Sequence, residues 1–395
     1  MIAVDEAVAR IVAAFSPVGA ERVAIGEAVG RVLAQDVPAK ADQPPDAASS
    51  MDGYALRAAD AIAGAALRVI GAAPAGHPFA GAVGTGEAVR IFTGGAVPRG
   101  ADSIVIQEDT RAQGDCVVIN AAAVPGRHVR PAGLDFKAGD VLVAAGKRLT
   151  ARDLSLIAAG DVAQVAVRKK PRVAFAATGD ELSRPGEPRK PGGIVASSGY
   201  ALAAMIAAWG AEAVDLGILP DTADAVAGIA DKAAGADIVV TLGGASVGAH
   251  DLVQSALGPR GFALDFWKIA MRPGKPLIFG RLGKTPLLGL PGNPVSTLVC
   301  ATLFLKPALA ALLGTRDASA IVAARLLSGL KENDARQDYL RARLELRDGE
   351  RFAEAFAVQD SSMLSTFAQA DGLIVRAPRA PAANAGETVN VLLLD

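Results

Sequence analysis

Between residues 171 and 313, short apolar runs, glycine-rich turns and helical stretches succeed one another in alternation, and few folds accommodate such a pattern. The runs at 173–177, 213–216, 238–240 and 286–290 are brief and almost wholly apolar, as strands buried on both faces require. Helical stretches are expected at 197–209, at 222–235 and beyond Pro294. Strand and helix in turn predict a doubly wound parallel sheet, whose ligands bind at the carboxyl ends of its strands.

The central run reads DIVVTLGGASVGAHD, residues 237–251. Ile238, Val239 and Val240 make a buried strand, and Gly243, Gly244, Ser246 and Gly248 follow in a loop that leaves backbone N–H groups bare ahead of a helix. Such groups attract anions, phosphate above all. A second loop of this kind, GLPGNPVS at 289–296, carries Pro291, Gly292, Asn293 and Pro294. Between the two lies WKIAMRPGKP, with the cations Lys268, Arg272 and Lys275. One glycine-rich loop is more often a plain turn than a site, so the weight rests on two such loops with a cationic bridge between them. The carboxylates Asp180, Glu181, Asp221 and Asp251 fall just after or near strand ends, where chemistry is displayed. Asp221 is the weakest of these, because Asp before a helix is an ordinary N-cap.

The flanking segments read differently. Val4, Val8, Ile11, Val12 and Phe15 recur at helical spacing and give an amphipathic opening helix ended by Ser16-Pro17. Residues 21–37 are expected to be largely helical before a strand-like end at 32–37. Residues 46–139 become β-rich, with polar landmarks at Asp52, Thr93 and Asp135. After Thr315 helices are expected to cease, and five apolar or alternating runs with an Asp348-Gly349 hairpin turn predict a small β-barrel. The expected plan is an N-terminal helix (1–19) packing on the doubly wound domain and a small mixed domain from 20–45 and 140–170. A β-rich domain (46–139), the doubly wound domain (171–318) and the barrel (319–395) complete it.

Forty basic against 41 acidic side chains leave a formal charge of −1, which carries no nucleic-acid footprint. Cys116 and Cys300 have no metal or redox spacing, and His77, His128 and His250 do not cluster. Any metal is therefore expected to be a hard cation held by carboxylates. The apolar stretch 298–313 contains Lys306 and Pro307 and reads as a core helix, and Asp5 and Glu6 argue against a signal peptide. A cytoplasmic protein with no membrane segment is expected. Carboxylates, cations and two anion-friendly loops are equipment for a metal ion and phosphates.

The ordered motifs SMDGYA, IFTGGAVPRGAD, RPAGLDFKAG, TGDEL, TLGGASVGAHD, FWKIAMRPGKP and GLPGNPVS resemble the molybdopterin molybdenumtransferase family, the MoeA type that includes the carboxy-terminal domain of gephyrin. The resemblance runs from about Glu21 to the C-terminus. It implies an α/β multidomain chain in which the doubly wound part is a molybdopterin-binding, MogA-like domain. It implies insertion of molybdate into adenylylated molybdopterin with release of AMP, dependence on Mg²⁺, and a homodimer whose sites are shared between chains. Molybdoenzymes and the adenylyltransferase are the expected protein partners.

By that resemblance Asp52, Thr93, Asp135, Glu181, Asp251 and Lys268 are catalytic, and Asp180, Glu181 and Asp251 hold the metal. Arg272, Lys275, Arg341 and Ser361 contact molybdate; Asp221, the 243–248 loop and the 291–294 loop bind the substrate nucleotide. Departures from the family pattern fall at Ala177, Ala196, Ser198, Leu242 and Arg272, where Ser, Asp, Asn, a small hydroxyl residue and Lys are usual. They prompt one alternative, an attenuated or non-catalytic paralogue that hands on molybdopterin or the finished cofactor. A second, a molybdopterin adenylyltransferase, is prompted by the resemblance of the doubly wound domain alone to that related family, against which the extra domains weigh.

Overall fold

Val173, Phe175, Ile238 and Val240 are each at most 2% exposed, because the apolar runs form the interior of a six-stranded sheet. The computed structural model describes residues 1–243, 247–316 and 319–394, without the side chains of 247–251. Two compact units emerge, 22–167 and 1–21 together with 168–395.

In the second of these the sheet runs Glu212–Leu219, Arg172–Thr178, Ile238–Leu242, Thr285–Leu290, Ile278–Leu282, Phe262–Trp267. The first four strands are parallel, and the last two join antiparallel. Chain order reverses between Arg172–Thr178 and Ile238–Leu242, which makes their carboxyl ends the switch point where such sheets bind ligands. The two-residue period of a strand sorts the side chains. Val173 and Phe175 face a core containing Leu202, Ile206, Val299 and Phe304, while Ala174 and Ala176 face one containing Val226, Ile229 and Leu257.

Val4, Ala7 and Ile11 of the helix Val4–Ala13 join the first of these cores, which supplies the partner surface their spacing calls for. The helix 294–313 is long and apolar enough to cross a membrane, but 72% of it is buried within the protein. Its middle, Ala301–Leu305, is π-helical just before Pro307, whose missing N–H and bulky ring disturb the regular ladder.

The barrel contains Ile321–Leu326, Gln337–Arg347, Glu350–Ala355, Gly372–Arg376 and Thr388–Leu393. It closes because Gln337–Arg347 pairs with both Glu350–Ala355 and Gly372–Arg376. The hairpin at Asp348-Gly349 is present, with Arg347 opposite Glu350. Helix does not cease after Thr315: Leu364–Ala368 forms a short one, whose Thr366 is buried.

Unit 22–167 carries a second six-stranded sheet, in the order Ser103–Ile106, Gly53–Leu56, Glu87–Ile91, Ala66–Ala73, Cys116–Ile119, Thr110–Gln113. A separate core gathers Leu33, Val37, Val143, Leu149, Ile157 and Val165 from two distant stretches. Two helical expectations need correction. Residues 20–24 are a strand, followed by a single 3₁₀ turn at Ile25–Glu27, because the Ile25 N–H is taken by the Ala163 carbonyl at 3.0 Å. The expected helix at 222–235 is split into Ala223–Ala227 and Ile229–Lys232 around Gly228, a weak helix former.

Candidate active site

A cavity of about 470 Å³ opens at the switch point of the doubly wound sheet. The strand Arg172–Thr178 delivers Ala177, Thr178 and Glu181 to it, and Ile238–Leu242 delivers Leu242 and Gly243. The strand Glu212–Leu219 delivers Asp221, and Thr285–Leu290 delivers Pro291, Gly292, Asn293 and Pro294. The helices Ser198–Ala208 and Pro294–Cys300 both begin on its wall, without a side-chain cap on their first N–H groups. The first amides of Ser198–Ala208 make that part of the wall electropositive, whereas at the other helix start Pro294 has no N–H and the Val295 N–H is taken by the Ser361 carbonyl. Gly243 has φ +90°, and a Cβ there would lie 2.9 Å from the Thr178 carbonyl, so the two strand ends approach closely only with glycine.

Glu181, Gly243, Asp221, Pro291, Gly292, Asn293 and Pro294 thus come together as a set. Gly244 and Ser246 lie outside the described residues. Gly248 and Asp251 lie on the helix Val247–Leu257, with their side chains outside the description. Sequence reasoning missed Thr178, Ser197 and Ser296 on the same wall. Thr178 is 7% exposed and its Oγ1 has no hydrogen-bond partner among the described residues, a cost that a polar ligand in the cavity would relieve. It is the threonine of TGDEL, and membership of that motif was the available signal. Ala177, Ala196, Ser198 and Leu242, four of the five departures, also line this cavity.

The N-cap alternative for Asp221 does not hold. Thr222 caps the helix, accepting from the Ala225 N–H at 3.4 Å, and Asp221 is left on the cavity wall. Burial, then the charges of Glu181 and Asp180, push the Asp221 carboxyl above the ordinary range. The Asp221 N–H points to Asp180 Oδ1 at 3.4 Å, and the Asp180 carbonyl accepts from Lys190 Nζ at 3.0 Å. Asp180 itself is exposed, beside the cavity and not among its lining residues. Among the described residues no group of three or more His, Cys, Asp or Glu is arranged as a ready metal cage.

The cations are dispersed. Arg272 is committed: it pairs with Asp338, whose side chain is 5% exposed, and lies 3.3 Å from Asp334. Its planar fork grips one carboxylate with two nitrogens, which a lysine could not do. Lys275 is exposed, and Lys268 has φ +75° with its ammonium 3.6 Å from the centre of the Trp267 ring. Arg341, on the strand Gln337–Arg347, is 1% exposed, and its Nε and Nη2 have no partner among the described residues. Burial lowers its pKa, and the charge of Asp360 partly offsets that. Ser361 Oγ accepts from Asn293 Nδ2 at 2.9 Å, and its carbonyl accepts from the Val295 N–H at 3.1 Å, so it sits against the 291–294 loop.

In unit 22–167, Asp52 Oδ1 accepts from both the N–H and the Oγ1 of Thr93, at 2.7 and 2.8 Å. These two bonds hold the carboxyl below its ordinary range; burial opposes them, and the charge of Arg90 adds a smaller lowering. Asp135 is exposed, placed by its N–H bond to the Gln43 carbonyl at 2.9 Å.

Fold and cavity define a class: a doubly wound domain with a cavity at its switch point, built into a larger chain with a C-terminal barrel. Residues 2–160 match the MoeA N-terminal region (domain I and II), 174–311 a probable molybdopterin binding domain, and 323–394 the MoeA C-terminal region (domain IV). A molybdopterin molybdenumtransferase of Nostoc sp. is 37% identical over 95% of this chain and 88% of its own length. One from Haemophilus influenzae is 33% identical over 95% and 94%. The crystal structure of a molybdopterin biosynthesis MoeA protein from Pyrococcus horikosii superposes with a TM-score of 0.88, at 32% identity, over 100% of this chain and 99% of that one. The chain belongs to the molybdopterin molybdenumtransferase family.

Proposed function

We propose that this protein inserts molybdate into adenylylated molybdopterin and releases AMP. The observation that carries the reading is the cavity, where the uncapped start of Ser198–Ala208 and an unpartnered buried threonine hydroxyl meet two carboxylates. Amides and hydroxyls suit the phosphates and polar edges of a pterin nucleotide. For the oxyanion the support is Arg341, a buried guanidinium with two open nitrogens, which is costly unless an anion completes it. Ser361 and Lys275 complete the proposed molybdate set. Arg272 belongs to it less directly, since its charge is already matched by Asp334 and Asp338.

The residues present fit Mg²⁺ as an ion that keeps most of its water. Burial first, and then the charges of Glu181 and Asp180, lift Asp221, and an added cation would relieve this, although no cage is preformed among the described residues. Asp251 is a further proposed ligand. Bound there, Mg²⁺ would supply positive charge against the nucleotide phosphate. The chain's own groups hold the nucleotide on the cavity wall, with Leu182, Ile194 and Val195 offering it apolar surface beside the carboxylates. Asp52, Thr93, Asp135 and Lys268 are assigned to the same reaction on the resemblance of their motifs. The homodimer with shared sites, the cytoplasmic location, and hand-on to molybdoenzymes with supply by an adenylyltransferase are parts of the same reading.

The test supplies purified protein with adenylylated molybdopterin, molybdate and Mg²⁺, and follows AMP. Release that depends on molybdate is expected. Binding without turnover would make the protein a carrier, and formation of the adenylylated pterin from ATP would make it an adenylyltransferase.

A further inference from the structure

The Asp52–Thr93 pair is fixed by a third residue that no motif singles out. Asp52 immediately precedes the strand Gly53–Leu56, and Thr93 follows the strand Glu87–Ile91 by one residue. In the register between them Gly53 faces Ile91 and Tyr54 faces Arg90. The strand Ser103–Ile106 lies on the other side, with Gly53 facing Ile106, and the next residue, Gln107, donates its N–H to the Asp52 carbonyl at 3.1 Å. Three chain segments therefore end together around one carboxylate.

Arg90 touches all three. Its Nη1 donates to the Gly53 carbonyl at 3.2 Å, and its Nη2 donates to Gln107 Oε1 at 2.7 Å. Its guanidinium lies 5.1 Å from the ring centre of Tyr54 and 4.9 Å from that of Phe92. A planar cation with several fixed donors does this; an ammonium on a flexible stem does not. Gly53 is held as tightly, since a Cβ there would fall 2.0 Å from the Val105 carbonyl oxygen.

We infer that Arg90 is a positioning residue for the proposed reaction, locking the strand ends so that the Asp52 carboxylate and Thr93 hydroxyl keep their mutual geometry through turnover. The inference rests on the reading that Asp52 serves molybdate-dependent AMP release. Other charged groups lie on the neighbouring elements. Glu108 accepts from Gln107 Nε2 at 3.3 Å, Asp109 lies 3.4 Å from Arg127, and His128 and Arg130 belong to the stretch that pairs with residues 48–49. Among them, Arg90 is the one whose charge bears on Asp52.

The experiment measures kcat, KM for the adenylylated pterin, the pH profile of AMP release and the unfolding temperature for Arg90→Gln, Arg90→Lys and Asp52→Asn in the full chain. Arg90→Gln should lower kcat about ten- to a hundredfold, the scale of a small misplacement, with KM little changed. Its acid limb should move to higher pH, because loss of a neighbouring cation raises a carboxyl pKa. Arg90→Lys should restore the acid limb while recovering kcat only in part. If Asp52→Asn keeps full activity, the reading of Asp52 fails. If Asp52→Asn is inactive while Arg90→Gln keeps wild-type kcat, or loses kcat with an unmoved acid limb and a lower unfolding temperature, Arg90 is merely structural and the inference is overturned. Should Arg90→Gln not fold, Arg90→Lys decides: wild-type kcat there overturns it as well.

Discussion

Two carboxylates, Asp52 and Asp221, occupy opposite electrostatic settings. Asp52 sits among donors, with two bonds from one threonine and a guanidinium nearby, and its carboxyl is held down. Asp221 sits among like charges on a partly desolvated wall, and its carboxyl is held up. The first anion is already satisfied by the protein, so it is rigid and stays ionised. The second lacks a counter-charge, which makes it a natural place for a cation to arrive. The same residue type is thus held by donors in one unit and left without a counter-charge in the other.

The largest expected effect would break the comparison from the Asp52 side. Asp52→Asn should lower molybdate-dependent AMP release by about a hundredfold or more, the scale seen when one preorganised polar group is removed from an active site. Affinity of the doubly wound cavity for the pterin nucleotide, read by calorimetry, should hold. A parallel loss of affinity would mean that Asp52 binds the nucleotide.

Next in size is the pair of arginines. Arg341→Ala should raise the molybdate requirement by about ten- to a hundredfold, because charged hydrogen bonds are worth about 1.5–3 kcal/mol. Arg272→Ala should act chiefly on stability, costing about 2 kcal/mol in urea unfolding, since it strips the partner from the nearly buried Asp338. Equal shifts in the molybdate titration for both variants would place Arg272 in the oxyanion site after all.

A third test sharpens the Asp221 side. Asp221→Asn should raise the Mg²⁺ concentration for half-maximal activity about tenfold, the value of about 1.4 kcal/mol. In the parent, protons and the cation compete for a carboxyl whose pKa is raised, so Mg²⁺ affinity should climb as pH rises through that pKa. In the variant this part of the climb should vanish. Without metal, the variant should unfold at a slightly higher temperature at neutral pH. A raised carboxyl pKa means that ionisation costs the folded state stability as pH rises, and Asn carries no such charge.

The smallest effect concerns the departures on the cavity wall. Ala196→Asp and Ser198→Asn should each change KM for the pterin nucleotide by about three- to tenfold, the worth of one ordinary hydrogen bond. No change in either would show that this wall does not meet the substrate.

Much of the doubly wound sheet was legible because its strands are buried on both faces, and an unbroken apolar run such as Ile238–Val240 has few other uses. The barrel was legible from its alternation and the Asp348-Gly349 turn. The strand at 20–24 was not, since local propensity there is overridden by hydrogen bonds to residues far along the chain, as between the Ile25 N–H just after it and the Ala163 carbonyl. The glycine loops and TGDEL marked the cavity, but Thr178 was passed over because a threonine at a strand end carries no pattern of its own.

Sequence by itself determined the order of elements, the family and the chemical types gathered for the reaction, since these follow from periodicity and from motifs in fixed order. Tertiary structure decided which charges are free and which are spent. Arg272 and Arg341 are both arginines beside apolar residues in the sequence, yet one is matched by Asp338 and Asp334 and the other is buried with open donors. Asp52 and Asp221 likewise differ only in what the fold brings beside them. Electrostatic energy depends on distance and on exclusion of water, and both are set by residues far apart along the chain.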